Sequence, residues 1–88
     1  MALYSKTENA KIAATTTAQY AELETGARFV HLIASADTYI SFDETVATTD
    51  SFLIKANLES VFEFPGGGPT KVWAITASTA NVYLLAIR

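Results

Sequence analysis

The sequence predicts an all-β domain: a small antiparallel β-sandwich or jelly-roll-like fold with an extended N-terminal arm. Three observations lead there. Short runs rich in Val, Ile, Thr and aromatic residues recur between clusters of Gly, Pro, Ser and Asp, the punctuation of strands and turns. Several runs alternate apolar and polar residues with a period of two, and none keeps a helical period. The composition leans to strand formers, with 12 Thr beside 15 Ala and an aromatic content of 11%. At 88 residues the chain has room for one domain and not two.

The elements follow in order. Residues 1–9 are mostly polar and are expected to form an arm. Residues 10–20 carry the triplet Thr15-Thr16-Thr17, whose branched side chains lose freedom in a helix, so a strand is expected despite the alanines. The domain boundary is drawn accordingly: an N-terminal arm over 1–20 with room for a first strand, and a sandwich over 21–88. Residues 27–34 form one strand-like run, and Asp37 to Phe42 the next, with Thr38, Ile40 and Phe42 on one face. Residues 43–51 read as a polar loop, and Phe52–Lys55 as a short apolar segment. From Leu58 to Phe64 the side chains alternate, with Leu58, Ser60, Phe62 and Phe64 on one face. Pro65-Gly66-Gly67-Gly68-Pro69 is the strongest break, because Gly admits positive φ and Pro fixes φ. Lys71–Thr76 and Ala80–Ile87 follow as two strands separated by Ala77-Ser78-Thr79, a length suited to a hairpin.

Several strands are apolar on both faces. Val82, Leu84 and Ala86 oppose Tyr83, Leu85 and Ile87. Val72 and Ala74 oppose Trp73 and Ile75, and Val30, Leu32 and Ala34 oppose Phe29, His31 and Ile33. A sandwich of this size has one interior, so the second set needs another cover. The expectation is a subunit contact built on Phe29, Trp73, Ile75, Tyr83 and Leu85, since aromatic anchors carry much of the energy of interfaces. The competing explanation is that the N-terminal segment folds over them.

The search for chemistry is negative at each candidate. Gly66-Gly67-Gly68-Pro69-Thr70-Lys71 lacks the spacing of a phosphate loop, and Pro69 removes a backbone donor that such a loop needs. His31 is the single histidine, sits between Val30 and Leu32, and is expected to be a packed or interface residue. Asp37, Asp43, Glu44 and Asp50 crowd one region without the spacing or glycine of a calcium loop, which reads as a solvated acidic loop. Glu22 and Glu24 stand at a generic spacing that does not mark a glycosidase pair. No catalytic residue, cofactor or metal is expected.

Bulk properties narrow the partners. The net charge is −3 with six scattered cations, which argues against nucleic acid. No run approaches the ~18 apolar residues of a membrane helix, and the first residues have no apolar run that would serve as a secretory signal. With no cysteine, stabilisation by disulfides is excluded, and small domains without staples commonly oligomerise.

From about Ala21 onward, order and spacing resemble a known group. The features are a turn at Thr25-Gly26-Ala27, a strand Arg28-Phe29-Val30-His31-Leu32, and a Tyr39-Ile40-Ser41-Phe42 strand. A Thr/Ser-rich loop at 45–51, the Val61-Phe62-Glu63-Phe64-Pro65-Gly66-Gly67 strand and turn, and a hairpin from Lys71 to Leu84 complete them. The chain resembles the small β-sandwich structural proteins of tailed bacteriophages, over about three quarters of its length. That resemblance implies a capsid cement or decoration protein that bridges capsid subunits, made in the host bacterial cytoplasm and residing in the virion. It implies a homo-oligomer, with a trimer favoured, bound to the major capsid protein or another virion protein. A neck or tail adaptor is the alternative position. A carbohydrate-binding module for host attachment, using Trp73, Tyr39 and Tyr83, is the alternative function.

Overall fold

The structure is a computed structural model, and it describes residues 7–24, 27–66 and 68–87. Among these lie eight strands: β1 (Thr7–Ala14), β2 (Gln19–Glu22), β3 (Phe29–Ala34), β4 (Thr38–Phe42), β5 (Phe52–Ile54), β6 (Ser60–Glu63), β7 (Lys71–Thr76) and β8 (Ala80–Ile87). They form two four-stranded antiparallel sheets, in the orders β1-β8-β3-β6 and β2-β7-β4-β5.

The pairing has a simple logic. β4 pairs with β5, β3 with β6, β2 with β7 and β1 with β8, so the chain is one long hairpin nested about residues 43–51. Rolling that hairpin brings β8 beside β3 and β7 beside β4. The result is the jelly-roll form of the sandwich.

Two expectations change. Among the described residues the sandwich already includes Thr7, ahead of the boundary drawn at residue 21. β1 pairs with β8 along its whole length and places Ile12 and Ala14 in the core, and β2 completes the other sheet against β7. Of the expected arm, residues 1–6 lie outside the described residues, as do Thr25 and Gly26 of the expected turn. The second change concerns β7 and β8, which do not form a hairpin. They lie in different sheets, and Ala77-Ser78-Thr79 turns the chain across the sandwich. A three-residue connection suits either geometry; the strands find better partners in β4 and β2, and in β3 and β1.

Alternation decides which side faces in. Val30, Leu32 and Ala34, Val72, Ala74 and Thr76, and Val82, Leu84 and Ala86 are all buried. Alanines alternate with larger aliphatics through the core. Hydroxyls close the corners between sheets: Thr38 Oγ1 donates to Ala36 O at 2.8 Å, and Thr76 Oγ1 to Asp37 O at 2.8 Å. Both threonines are buried, so these bonds satisfy hydroxyls that would otherwise lack a partner. Gly68 brings the turn after β6 against the backbone near Ala27. A Cβ there would stand 1.9 Å from Ala27 O, so only glycine fits.

Candidate functional site

The outer face of the β1-β8-β3-β6 sheet is a ladder of three rows, given by the register. Thr7, Ile87, Phe29 and Glu63 form the first row. Asn9, Leu85, His31 and Val61 form the second. Lys11, Tyr83 and Ile33 form the third, and Glu59 follows at its end, one residue before β6. The middle of each row is apolar or aromatic, and Ile33 (39%), Val61 (52%) and Tyr83 (49%) stay well exposed. Lys11 marks the β1 edge, and Glu59 and Glu63 mark the β6 edge. A groove of about 440 Å³ runs between the rows, lined chiefly by Asn9, His31, Ile33, Glu59, Tyr83 and Leu85. His31 Nδ1 lies 2.9 Å from Glu59 Oε2, which fixes the imidazole across this groove.

The outer face of the other sheet is organised differently. Tyr20 and Trp73 are cross-strand partners with ring centroids 4.8 Å apart, tilted by 47°. Lys71 Nζ sits 4.6 Å from the Tyr20 ring centre and 5.5 Å from that of Trp73, a cation held against both π faces. Trp73 Nε1 donates to Asp43 O at 2.7 Å, which ties the start of the 43–51 connection to β7. Ile75 lies beside Tyr39, which in turn faces Leu53 of β5.

The five residues singled out from the sequence are thus divided. Phe29, Tyr83 and Leu85 share the face of the β1-β8-β3-β6 sheet, and Trp73 and Ile75 lie on the opposite side of the molecule. One flat partner cannot touch all five. Ile33, Ile87, Val61, His31 and Glu59 join the first group. Alternation already places His31 and Ile33 with Phe29, but the addition of β6 and of Lys11 needs strand order, which alternation does not contain.

A third apolar feature lies at the mouth between β5 and β6. Phe42 meets Phe62 and Phe64, each at 5.2 Å between ring centres, and Phe52 meets Phe62 at 5.3 Å, all edge to face. Phe52 is 60% exposed and Leu58 61%.

Two acidic residues, Asp37 and Asp43, serve as turn fasteners. Asp43 Oδ1 accepts from Thr70 N at 2.8 Å, and Asp37 Oδ1 from Ala56 N at 2.8 Å. That backbone donor holds the Asp37 carboxyl below its ordinary value against the opposing effect of desolvation, and Lys55 beside it adds to the lowering. Among the described residues, no group of three or more His, Cys, Asp and Glu side chains converges on a common point.

Fold and faces together define a jelly-roll module whose outer sheet faces carry apolar and aromatic side chains. No family model matches the chain, and no curated protein does. Among solved structures, the SPBc2 prophage-derived protein YomS superposes with a TM-score of 0.52 at 16% identity, covering 100% of both chains. A subunit from Bacillus endospore appendages, described as a family of disulfide-linked pili, gives 0.56 at 10% identity, covering 94% of this chain and 83% of that one. A de novo designed double-stranded β-helix gives 0.50 at 10% identity, over 94% and 99% of the two chains. At these identities the likeness is one of fold.

Proposed function

We propose that this protein is a non-enzymatic structural module of a bacteriophage virion, acting as a capsid cement or decoration protein. The observation that carries the reading is the apolar ladder on the β1-β8-β3-β6 sheet, where Ile33, Val61 and Tyr83 are exposed among the described residues, on an outer face of a domain that already has its own core. Contiguous apolar surface of this kind marks contact with another macromolecule. Several polar side chains have structural partners: Asp37 and Asp43 in turns, Thr38 and Thr76 in corners. The likeness in fold to a prophage-derived protein and to an appendage subunit agrees with a role in assembly. This chain has no cysteine, so its assembly would rest on buried surface, at ~25 cal/mol per Å² of apolar area, and not on covalent links.

The mechanism is mechanical. Each copy covers a joint between capsid subunits, and many symmetric copies add their contacts against internal pressure. The Tyr20–Trp73 pair does not favour the sugar-binding alternative, because Lys71 already occupies the ring faces that a sugar would stack on.

Protein quantification on purified particles tests the assignment. A head protein is present in hundreds of copies, and heads lacking it break at lower temperature. A few to tens of copies would move it to the neck or tail, and absence from particles would end the reading.

A further inference from the structure

We propose that two copies of this chain pack face to face through the β1-β8-β3-β6 sheets, about a two-fold axis that runs parallel to the strands. The proposal rests on the reading of the protein as an assembling module, and it adds the partner and the geometry.

The argument comes from how charge is laid out on the ladder. Its centre, on β8 and β3, is apolar or aromatic in every row: Ile87 with Phe29, Leu85 with the imidazole of His31, Tyr83 with Ile33. Its charged margins differ in sign, with Lys11 at the β1 edge and Glu59 and Glu63 at the β6 edge. Lys11 has no ion-pair partner among the described residues.

Two face-to-face arrangements are symmetric. An axis along the strands lays β1 of one copy over β6 of the other and keeps the rows aligned. Lys11 then faces Glu59 of the second copy, Tyr83 faces Ile33, Leu85 faces His31 and Ile87 faces Phe29. Each pair occurs twice by symmetry, as an isologous contact requires. An axis across the strands keeps each edge over itself and reverses the rows. Glu59 then faces Glu63, and Lys11 faces Thr7, so like charges meet and the cation goes unpaired. Charge complementarity therefore selects the axis along the strands. Sheets stack in this way about 10 Å apart and rotated by roughly 30°, a twist that a lysine side chain can span. The patch is about four strands wide at ~4.8 Å each and roughly 20 Å long, which is small beside the ~800 Å² per partner of a standard interface. The contact is therefore concentration-dependent when alone and gains strength inside a larger array.

Sedimentation velocity over a concentration series tests it, with K11E, E59K and the double variant K11E/E59K. Both changed positions, Lys11 and Glu59, lie on an outer face, and circular dichroism melting checks that the fold is kept. The expected result is a monomer–dimer equilibrium in which each single reversal raises the dissociation constant about tenfold and the double variant returns it to the original value. If the axis ran across the strands, E59K would tighten the dimer and K11E would leave it unchanged, and that outcome overturns the proposal. A dimer or trimer indifferent to all three variants also overturns it, while leaving assembly through another surface intact. A chain that stays monomeric at every concentration overturns self-association through this face, and binding to particles then decides the structural reading separately.

Discussion

Asp37 concentrates more of the structure than its exposure suggests. It stands at the corner between β3 and β4. Its carboxylate accepts from the Ala56 amide at 2.8 Å and lies 3.4 Å from Lys55 Nζ, and its carbonyl accepts from Thr76. The ion pair is exposed on both sides and contributes little, so the backbone hydrogen bond is the interaction that matters. Because folding lowers the Asp37 pKa below 3.8, its stabilisation is fully present above the unfolded value and is lost as pH falls through the folded one. The D37A variant should therefore be less stable than the parent at pH 7. The gap between the two should close as pH drops from about 5 to about 2. Urea unfolding across that range measures it, and two parallel curves would show that the carboxylate does not couple to folding.

At the scale of elements, the strands from β3 onward were legible, whereas the division of residues 7–22 into β1 and β2, and the partners of every strand, were not. β7 and β8 appear in the sequence with the bounds they have in the structure, because Pro69, Gly68 and the Ala77-Ser78-Thr79 break enclose runs rich in branched aliphatic and aromatic residues. β1 was harder. Lys11, Ala13 and the Thr triplet blur its apolar side, and only Ile12 and Ala14 reach full burial. What alternation cannot encode is which sheet a strand joins. A short break after β7 serves a hairpin or a corner equally well, and the choice is made by side chains far away in sequence. Here the corner is sealed by Thr76, whose hydroxyl reaches the carbonyl of Asp37. Thr76→Val keeps the volume but leaves that carbonyl without its donor, which should cost about 1–2 kcal/mol. For a domain of this size that is a loss of roughly 4–16 °C in Tm. The exposed Thr79→Val should stay within about 0.5 kcal/mol, and equal effects at both sites would show that the corner bond carries no stability.

The same distribution of partners sets how the whole molecule holds together. Every pair of consecutive strands except β4 and β5 lies in opposite sheets, and β1 reaches its partner β8 only after the rest of the chain has turned back. No subset of consecutive strands therefore owns a complete core. Unfolding should be cooperative, and folding slow for so small a chain, since long loops must close before their contacts form. Resistance should still grade from the centre outward. β8 and β3, and β7 and β4, have neighbours on both sides, and their inward side chains include Val30, Leu32, Ile40, Val72 and Val82. β5 and β6 are short edge strands at the mouth where Phe52 and Leu58 remain exposed. Native-state hydrogen exchange should find the slowest amides, opening only with global unfolding, in β8, β3, β7 and β4. Amides of β5 and β6 should exchange sooner, through local opening that leaves the central strands paired. Equal protection in β5 and β8 would mean that the mouth is sealed as firmly as the core, and that the aromatic cluster of Phe42, Phe62 and Phe64 completes the interior and does not border it.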